Sequence, residues 1–135
     1  MNAILKLDSV NKAFGAVTVA DNLSFEVPKG EALGVIGPNG AGKTSMFNLI
    51  TVVLTADSGA IHFYGNDITS LNAARRCLAG LARSFQVPQP FGGMSVFENA
   101  MVAATQAGDM KGHEAEQHCL DVLDQTELLK RANTL

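Results

Sequence analysis

The stretch GVIGPNGAGKTSMFNLI, residues 34–50, joins an apolar run to a glycine-rich turn, then Lys-Thr, then a second apolar run of helical length. Within it, GPNGAGKT fits the pattern G-x-x-x-x-G-K-[ST] at Gly37, Gly42, Lys43 and Thr44. A loop that wraps phosphates with backbone N–H groups needs positions without side chains and with freedom of backbone angle, which Gly37, Gly40 and Gly42 supply. A helix starting at the end of such a loop aims unpaired N–H donors, and a partial charge of about +0.5, at the same place. Lys43 then serves the terminal phosphates, the Thr44 hydroxyl a Mg²⁺ ion, and Ser45 an inner phosphate. The spacing predicts binding of a nucleoside triphosphate. By itself it does not separate a transport ATPase from a kinase, a GTPase or a helicase.

Outward from the loop, ILKLDSV (4–10) and LSFEV (23–27) alternate apolar and polar residues and read as strands, and the turn PKGE (28–31) ends the second of them. ALGVIG (32–37) is uninterrupted and apolar, the pattern of a strand buried on both faces. Residues 43–54 read as a helix on the spacing of Met46, Leu49, Ile50 and Val53. Beyond it lie a turn at ADSG (56–59), a strand at 60–65, a turn at GND (65–67), a helix near 71–79 and a short strand LARSF (81–85). QVPQPFGGM (86–94) is a loop rich in Pro and Gly. SVFE has capping-box spacing at Ser95 and Glu98, opening a helix whose apolar face includes Phe97, Met101 and Ala104. After GDMKG (108–112), a last helix over about 113–124 places Ala115, Cys119, Val122 and Leu123 on one face. The order predicts an α/β fold: antiparallel strands first, one buried strand-loop-helix unit, and a helix-rich tail.

Composition narrows the partners. The 135 residues suit one domain, and the net charge of −3, from 10 basic and 13 acidic residues, leaves no basic excess to displace phosphate counterions. Arg75, Arg76 and Arg83 are too few for a nucleic-acid patch, so no nucleic acid is expected as the main partner. Cys77 and Cys119 lack metal or redox spacing and read as free thiols of a reducing compartment. His113 and His118 do not share a helical face, and Asp121, Asp124 and Glu127 read as a solvated face. The opening MNAILKLDSVNKAF has no basic n-region and its apolar run is broken by Lys6 and Asp8, so no signal peptide is expected. No window approaches 18 uninterrupted apolar residues.

The flanks of the loop are more specific than the loop. NKAFGAVTVADNLSFEVPKGEALGVIGPNGAGKTS (11–45) resembles the opening of an ATP-binding cassette, the ATPase of ABC transporters. The resemblance implies a P-loop NTPase fold of that type, with ATP and Mg²⁺ as cofactors. It implies that Phe14 stacks on adenine, with Val17 nearby, and that Gly37, Asn39, Gly40, Ala41, Gly42, Lys43, Thr44 and Ser45 contact the nucleotide. GLARSFQVPQPFGGMSVFENAMVAA (80–104) is similar to the glutamine-loop region of the family, which implies that Gln86 reaches Mg²⁺ and the attacking water. Lys43 and Gln86 are thereby the expected catalytic residues, Thr44 and Gln86 the expected metal ligands. Val87, Phe91, Met94 and Val96 are apolar in or beside a loop, as a docking surface for transmembrane permease subunits would be.

NDITSLNAARRCLAGLARSFQ (66–86) and the segment after it resemble most the cassettes of branched-chain amino acid importers. Val52 and Ala56 depart from that pattern, standing where many relatives carry Gly and Pro. The resemblance covers essentially all 135 residues but only the first part of a cassette. The family's later signature, its apolar strand ending in Asp-Glu, and its switch histidine are not found. The expectation is a truncated form: residues 1–90 as nucleotide-binding core, 91–135 as the incomplete start of the helical subdomain, and no appreciable ATPase of its own. The implied function is the ATP-binding subunit of an ABC transporter, peripheral on the cytoplasmic face of the inner (plasma) membrane. It would energise import of a small solute, branched-chain amino acids, with permease subunits and a second cassette as homo- or heterodimer. The alternative is a nucleotide-binding fragment or regulator without hydrolysis. A soluble P-loop kinase would leave Phe14 and Gln86 without a role.

Overall fold

A computed structural model describes residues 3–135; Met1 and Asn2, which begin the opening stretch, lie outside the described residues. The chain divides between Arg76 and Cys77 into two compact units.

The first unit is built on an antiparallel sheet of four strands: β1 (Ala3–Phe14), β2 (Val17–Pro28), β3 (Ser58–Phe63) and the short β4 (Asn66–Asp67), in the order β2-β1-β3-β4. β1 is flanked on both sides, with Leu7 opposite Phe25 of β2 and Ile61 of β3. Both Leu7 and Ile61 are buried. A strict two-residue period would send Val10 to the face opposite Leu7. Ser9, at φ 50°, breaks the register there, and Val10 is fully buried. A bulge that shifts the phase by one residue has this effect. The Ser9 N–H, withdrawn from the ladder, donates to the Ser24 hydroxyl at 2.8 Å. Across the bulge only glycine fits: a Cβ on Gly59, at φ 94°, would lie 2.4 Å from the Ser9 carbonyl oxygen.

The end of β1 is tied down by Asp57. Its carboxylate accepts the Lys12 ammonium at 2.5 Å and the Ala13 N–H at 2.9 Å, while its own N–H donates to the Asn11 carbonyl. The Lys12 bond, then the Ala13 amide, hold the Asp57 carboxyl below the ordinary carboxylate range.

Helix α1 (Lys43–Ile50) is shorter than the expected 43–54. It ends at Thr51, and Val52 sits at φ 53° with its N–H on the Leu49 carbonyl. This is the left-handed helix cap that glycine fills without strain and a β-branched residue does not. Leu49 and Ile50 are buried as expected; Val53, beyond the cap, is exposed. Helix α2 (Ala73–Leu78) crosses the division between the units.

Two expected strands are absent. Residues 31–38 and 81–85 are irregular, and Leu33, Val35 and Ile36 are exposed, Ile36 at 96%. A strand buried on both faces needs ladder partners on its edges and layers above and below. Among the described residues, no strand pairs with either segment. The expected strand-loop-helix unit is therefore a loop and a helix.

The second unit is helical. In α3 (Val96–Gln106) the capping box is present: Glu98 N–H donates to the Ser95 hydroxyl at 3.2 Å and Ser95 N–H to the Glu98 carboxylate at 2.7 Å. The N–H groups of Val96 and Phe97 donate to the carbonyls of Thr134 and Ala132. Ala104 packs with Ala115 and Cys119 of α4 (Gly112–Gln125), and Phe97, Ala100, Met101 and Met110 close over them. Leu123 is buried on the same helix, but Val122, expected on that face, is exposed. Burial raises the Cys119 thiol above its ordinary value.

Val52→Gly should stabilise the protein by about 1 kcal/mol, read as a higher urea midpoint at unchanged slope. Asp57 should titrate below the ordinary 3.8, followed by NMR on its carboxyl and the Ala13 amide. Its depressed pKa means that the contact contributes above that pH and is lost as pH falls through the folded value.

Candidate functional site

The glycine-rich loop closes on itself before it enters α1. Ala41 N–H donates to the Pro38 carbonyl at 3.2 Å, and Met46 N–H donates to the Gly42 carbonyl at 2.9 Å. Gly40 and Gly42 have φ of 85° and 89°, a conformation that side chains resist. Gly37 does not, so backbone freedom is not its contribution, contrary to expectation. A Cβ there would press on the Ala41 Cβ at 3.3 Å, so its glycine serves close approach. The backbone of Gly42 also lies near β2, where an added Cβ would meet the Val19 carbonyl oxygen at 3.2 Å.

Gly42 is the N-cap of α1, no side chain caps this end, and no acidic residue stands in its first turn. The partial positive charge of the helix start is thus unneutralised by that turn. The Lys43 ammonium folds back over the loop and donates to the carbonyls of Gly37 and, at 2.7 Å, Pro38. Thr44 is exposed and Ser45 half-buried. Asn39 and Ala41 are exposed, and Ala41 lines the groove beside the loop. An open groove of about 290 Å³ runs between loop and sheet, lined by Val19, Ala20 and Asp21 of β2 and by Ile36, Gly42, Lys43 and Met46, with others.

Phe14 and Val17 face each other as the last cross-strand pair of the β1–β2 hairpin, outside the lining of that groove. Both are exposed, Phe14 at 55%. The Lys12 ammonium lies 5.2 Å from the Phe14 ring centroid, a cation–π distance. Asp57, by holding both Lys12 and the Ala13 amide, fixes the backbone on which Phe14 stands. Nothing in the turn ADSG marked Asp57 for this role, because its partners lie 44 and 45 residues away.

Gln86 belongs to the second unit and is exposed in the irregular segment before α3. Around it Phe85, Val87, Phe91 and Met94 are exposed, Val87 at 72%, while Val96 is half-buried at the start of α3. The Arg83 guanidinium lies 4.5 Å from the Phe85 ring centroid. Asn99 organises this segment: its amide oxygen accepts the Phe91 N–H, and its amide nitrogen donates to the carbonyls of Phe91, Met94 and Ser95. Asn99 stands one turn beyond the capping Ser95, but a helical Asn carries no mark in the sequence of the loop it holds.

Mg²⁺ prefers hard oxygen donors and few protein ligands, taking the rest from phosphate and water. Thr44, a hydroxyl on the first turn beside Lys43, meets that requirement of type. No helix among the described residues is long and apolar enough to cross a membrane.

The protein-family model described as "ABC transporter" matches residues 20–135. The chain is 39% identical over 106 residues to the probable branched-chain amino acid transport ATP-binding protein LivG of Methanocaldococcus jannaschii, covering 78% of this chain and 41% of that one. It is 36% identical over 101 residues to the sulfate/thiosulfate import ATP-binding protein CysA 2 of Shewanella oneidensis, covering 75% of this chain and 28% of that one. Among solved structures, the ADP conformation of an ATP-binding cassette of an ABC transporter matches with a TM-score of 0.83 at 31% identity, over 99% of this chain and 57% of that one. The chain thus spans less than half the length of these two curated relatives. Loop, hairpin, helices and family match agree: the chain belongs to the ABC transporter family, corresponding to the N-terminal part of its ATP-binding domain.

Proposed function

We propose that this chain binds Mg²⁺–ATP as part of the ATP-binding subunit of an ABC transporter that imports a small solute, branched-chain amino acids in the first instance. One observation carries the nucleotide reading. The α1 start has neither a side-chain cap nor an acid, and the cation beside it, Lys43, is held by neutral carbonyls. The ammonium is charged in both cases, but a phosphate oxygen carries a negative charge that a carbonyl lacks, so the added Coulomb attraction favours phosphate over those carbonyls. Gly37, Asn39, Gly40, Ala41 and Gly42 form the cradle, Lys43 takes the terminal phosphates, Thr44 the Mg²⁺ and Ser45 an inner phosphate. Phe14, with Val17 beside it, offers its ring to the base. In nucleic-acid complexes such stacking is worth about 1–3 kcal/mol per base.

Gln86 is assigned to Mg²⁺ and the attacking water, with Lys43 as its catalytic partner. The division of labour runs along the sequence: residues 1–90 as nucleotide core and 91–135 as the start of the helical part. The exposed Val87, Phe91 and Met94 are assigned to the permease subunits at the cytoplasmic face of the membrane, and a second cassette to the dimer. The LivG relative supports the amino acid solute; the sulfate/thiosulfate relative shows that similar chains carry names for other solutes.

Titration of the purified chain with Mg²⁺–ATP tests the reading, and no saturable binding would sink it. Lys43→Ala should weaken ATP at least about tenfold while AMP changes little, because the lost contact is to the outer phosphates. Gln86→Ala should leave ATP affinity within about twofold and lower turnover in the assembled transporter. A loss of affinity equal to that of Lys43→Ala would contradict the role given to Gln86.

A further inference from the structure

Arg76 is a buried charged side chain of the first unit, 2% exposed. Its hydrogen bonds go to four backbone carbonyls and to no carboxylate among the described residues: Nη1 to Leu49 at 3.1 Å and Ile50 at 2.7 Å, Nη2 to Thr69 at 2.9 Å, and Nε to Leu71 at 3.1 Å. Leu49 and Ile50 are the last two residues of α1. Their carbonyls carry the negative end of the helix dipole; that of Leu49 also accepts the Val52 N–H at the cap, while Arg76 Nη1 reaches both. Thr69 and Leu71 belong to the segment between β4 and α2, and Ile68 before them donates its N–H to the Ile61 carbonyl of β3. One planar fork therefore ties the C-terminus of α1 to the sheet.

α1 has eight residues, about 12 Å in length. A helix that short does not bend appreciably, so the place of its last carbonyls sets the place of its first amides. Those amides, with Lys43 and Thr44, form the phosphate end of the site. We propose that Arg76 is a positioning residue for the phosphate loop: it sets how well α1 presents its N-terminus to the outer phosphates, without touching them. The proposal rests on the ATP-binding reading above and adds a residue remote from the loop to it.

A residue that merely holds the fold affects every nucleotide alike, whereas a positioning residue for α1 acts on the phosphate-dependent part of affinity. The test is the ratio of ATP to AMP affinity, each titrated with Mg²⁺ on the purified chain. Arg76→Lys keeps the charge but loses the fork, since an ammonium does not span four carbonyls. It should cut the ATP:AMP affinity ratio about tenfold with AMP itself within about twofold, at a wild-type circular dichroism spectrum. Equal loss for ATP and AMP, or no loss in the folded variant, overturns the proposal. Should Arg76→Lys be too unstable, the same pair of titrations is run in the Val52→Gly background. Failure to fold there as well assigns Arg76 to folding alone and also overturns it. A wild-type chain that takes up neither nucleotide fails the ATP-binding reading itself; wild-type binding with an unchanged ratio in Arg76→Lys fails only this inference.

Discussion

A buried guanidinium that hydrogen-bonds no carboxylate needs carbonyl acceptors, and the end of a helix offers carbonyls that lack the intrahelical N–H partner of the helix interior. Arg76 and α1 satisfy each other in this way. The arginine completes the helix end at Leu49 and Ile50, and the helix, with Thr69 and Leu71, makes burial of the cation tolerable. Burial draws the Arg76 pKa below its ordinary value, with Asp67 opposing. The position of α1, and through it that of the glycine-rich loop, depends on this exchange.

The same helix end carries a cost. Val52 occupies the left-handed cap position at φ 53°, next to the residues that Arg76 holds. A non-glycine residue there costs roughly 1–2 kcal/mol, which bonds at Leu49 and Ile50 offset. At the other end of α1 the logic is reversed. Gly40 and Gly42 accept positive φ freely, no side chain caps the helix, and Lys43 turns back on the loop. The C-terminus is closed by side-chain and backbone donors, and the N-terminus has no side-chain cap.

Away from the loop, two ties arrange surface residues that lack a core of their own. Asp57 fixes the β1 end beneath Phe14, and Asn99 gathers Phe91, Met94 and Ser95 ahead of α3. Each makes several hydrogen bonds with backbone groups or a cation, so an exposed aromatic stands on an ordered backbone.

Much of this was legible in the sequence where the physics is local. The G-x-x-x-x-G-K-T turn into a helix, the capping box at Ser95 and Glu98, the antiparallel opening strands and the burial of Ala104, Ala115 and Cys119 each depend on short-range pattern, and all appear. What failed was non-local. ALGVIG and LARSF carry strand composition, but a strand is defined by its ladder, and none is formed with them among the described residues. The Ser9 bulge, Gly59 beneath it, the Asp57 tie and the bonds from Arg76 to the end of α1 likewise depend on groups 15 to 50 residues apart. The sequence by itself determined the glycine-rich loop and the helix that follows it, because that pattern is written in consecutive residues. Only the tertiary structure decided how the helix behind the loop is held, because the carbonyls that hold Arg76 are main-chain atoms that every residue has and no sequence motif distinguishes.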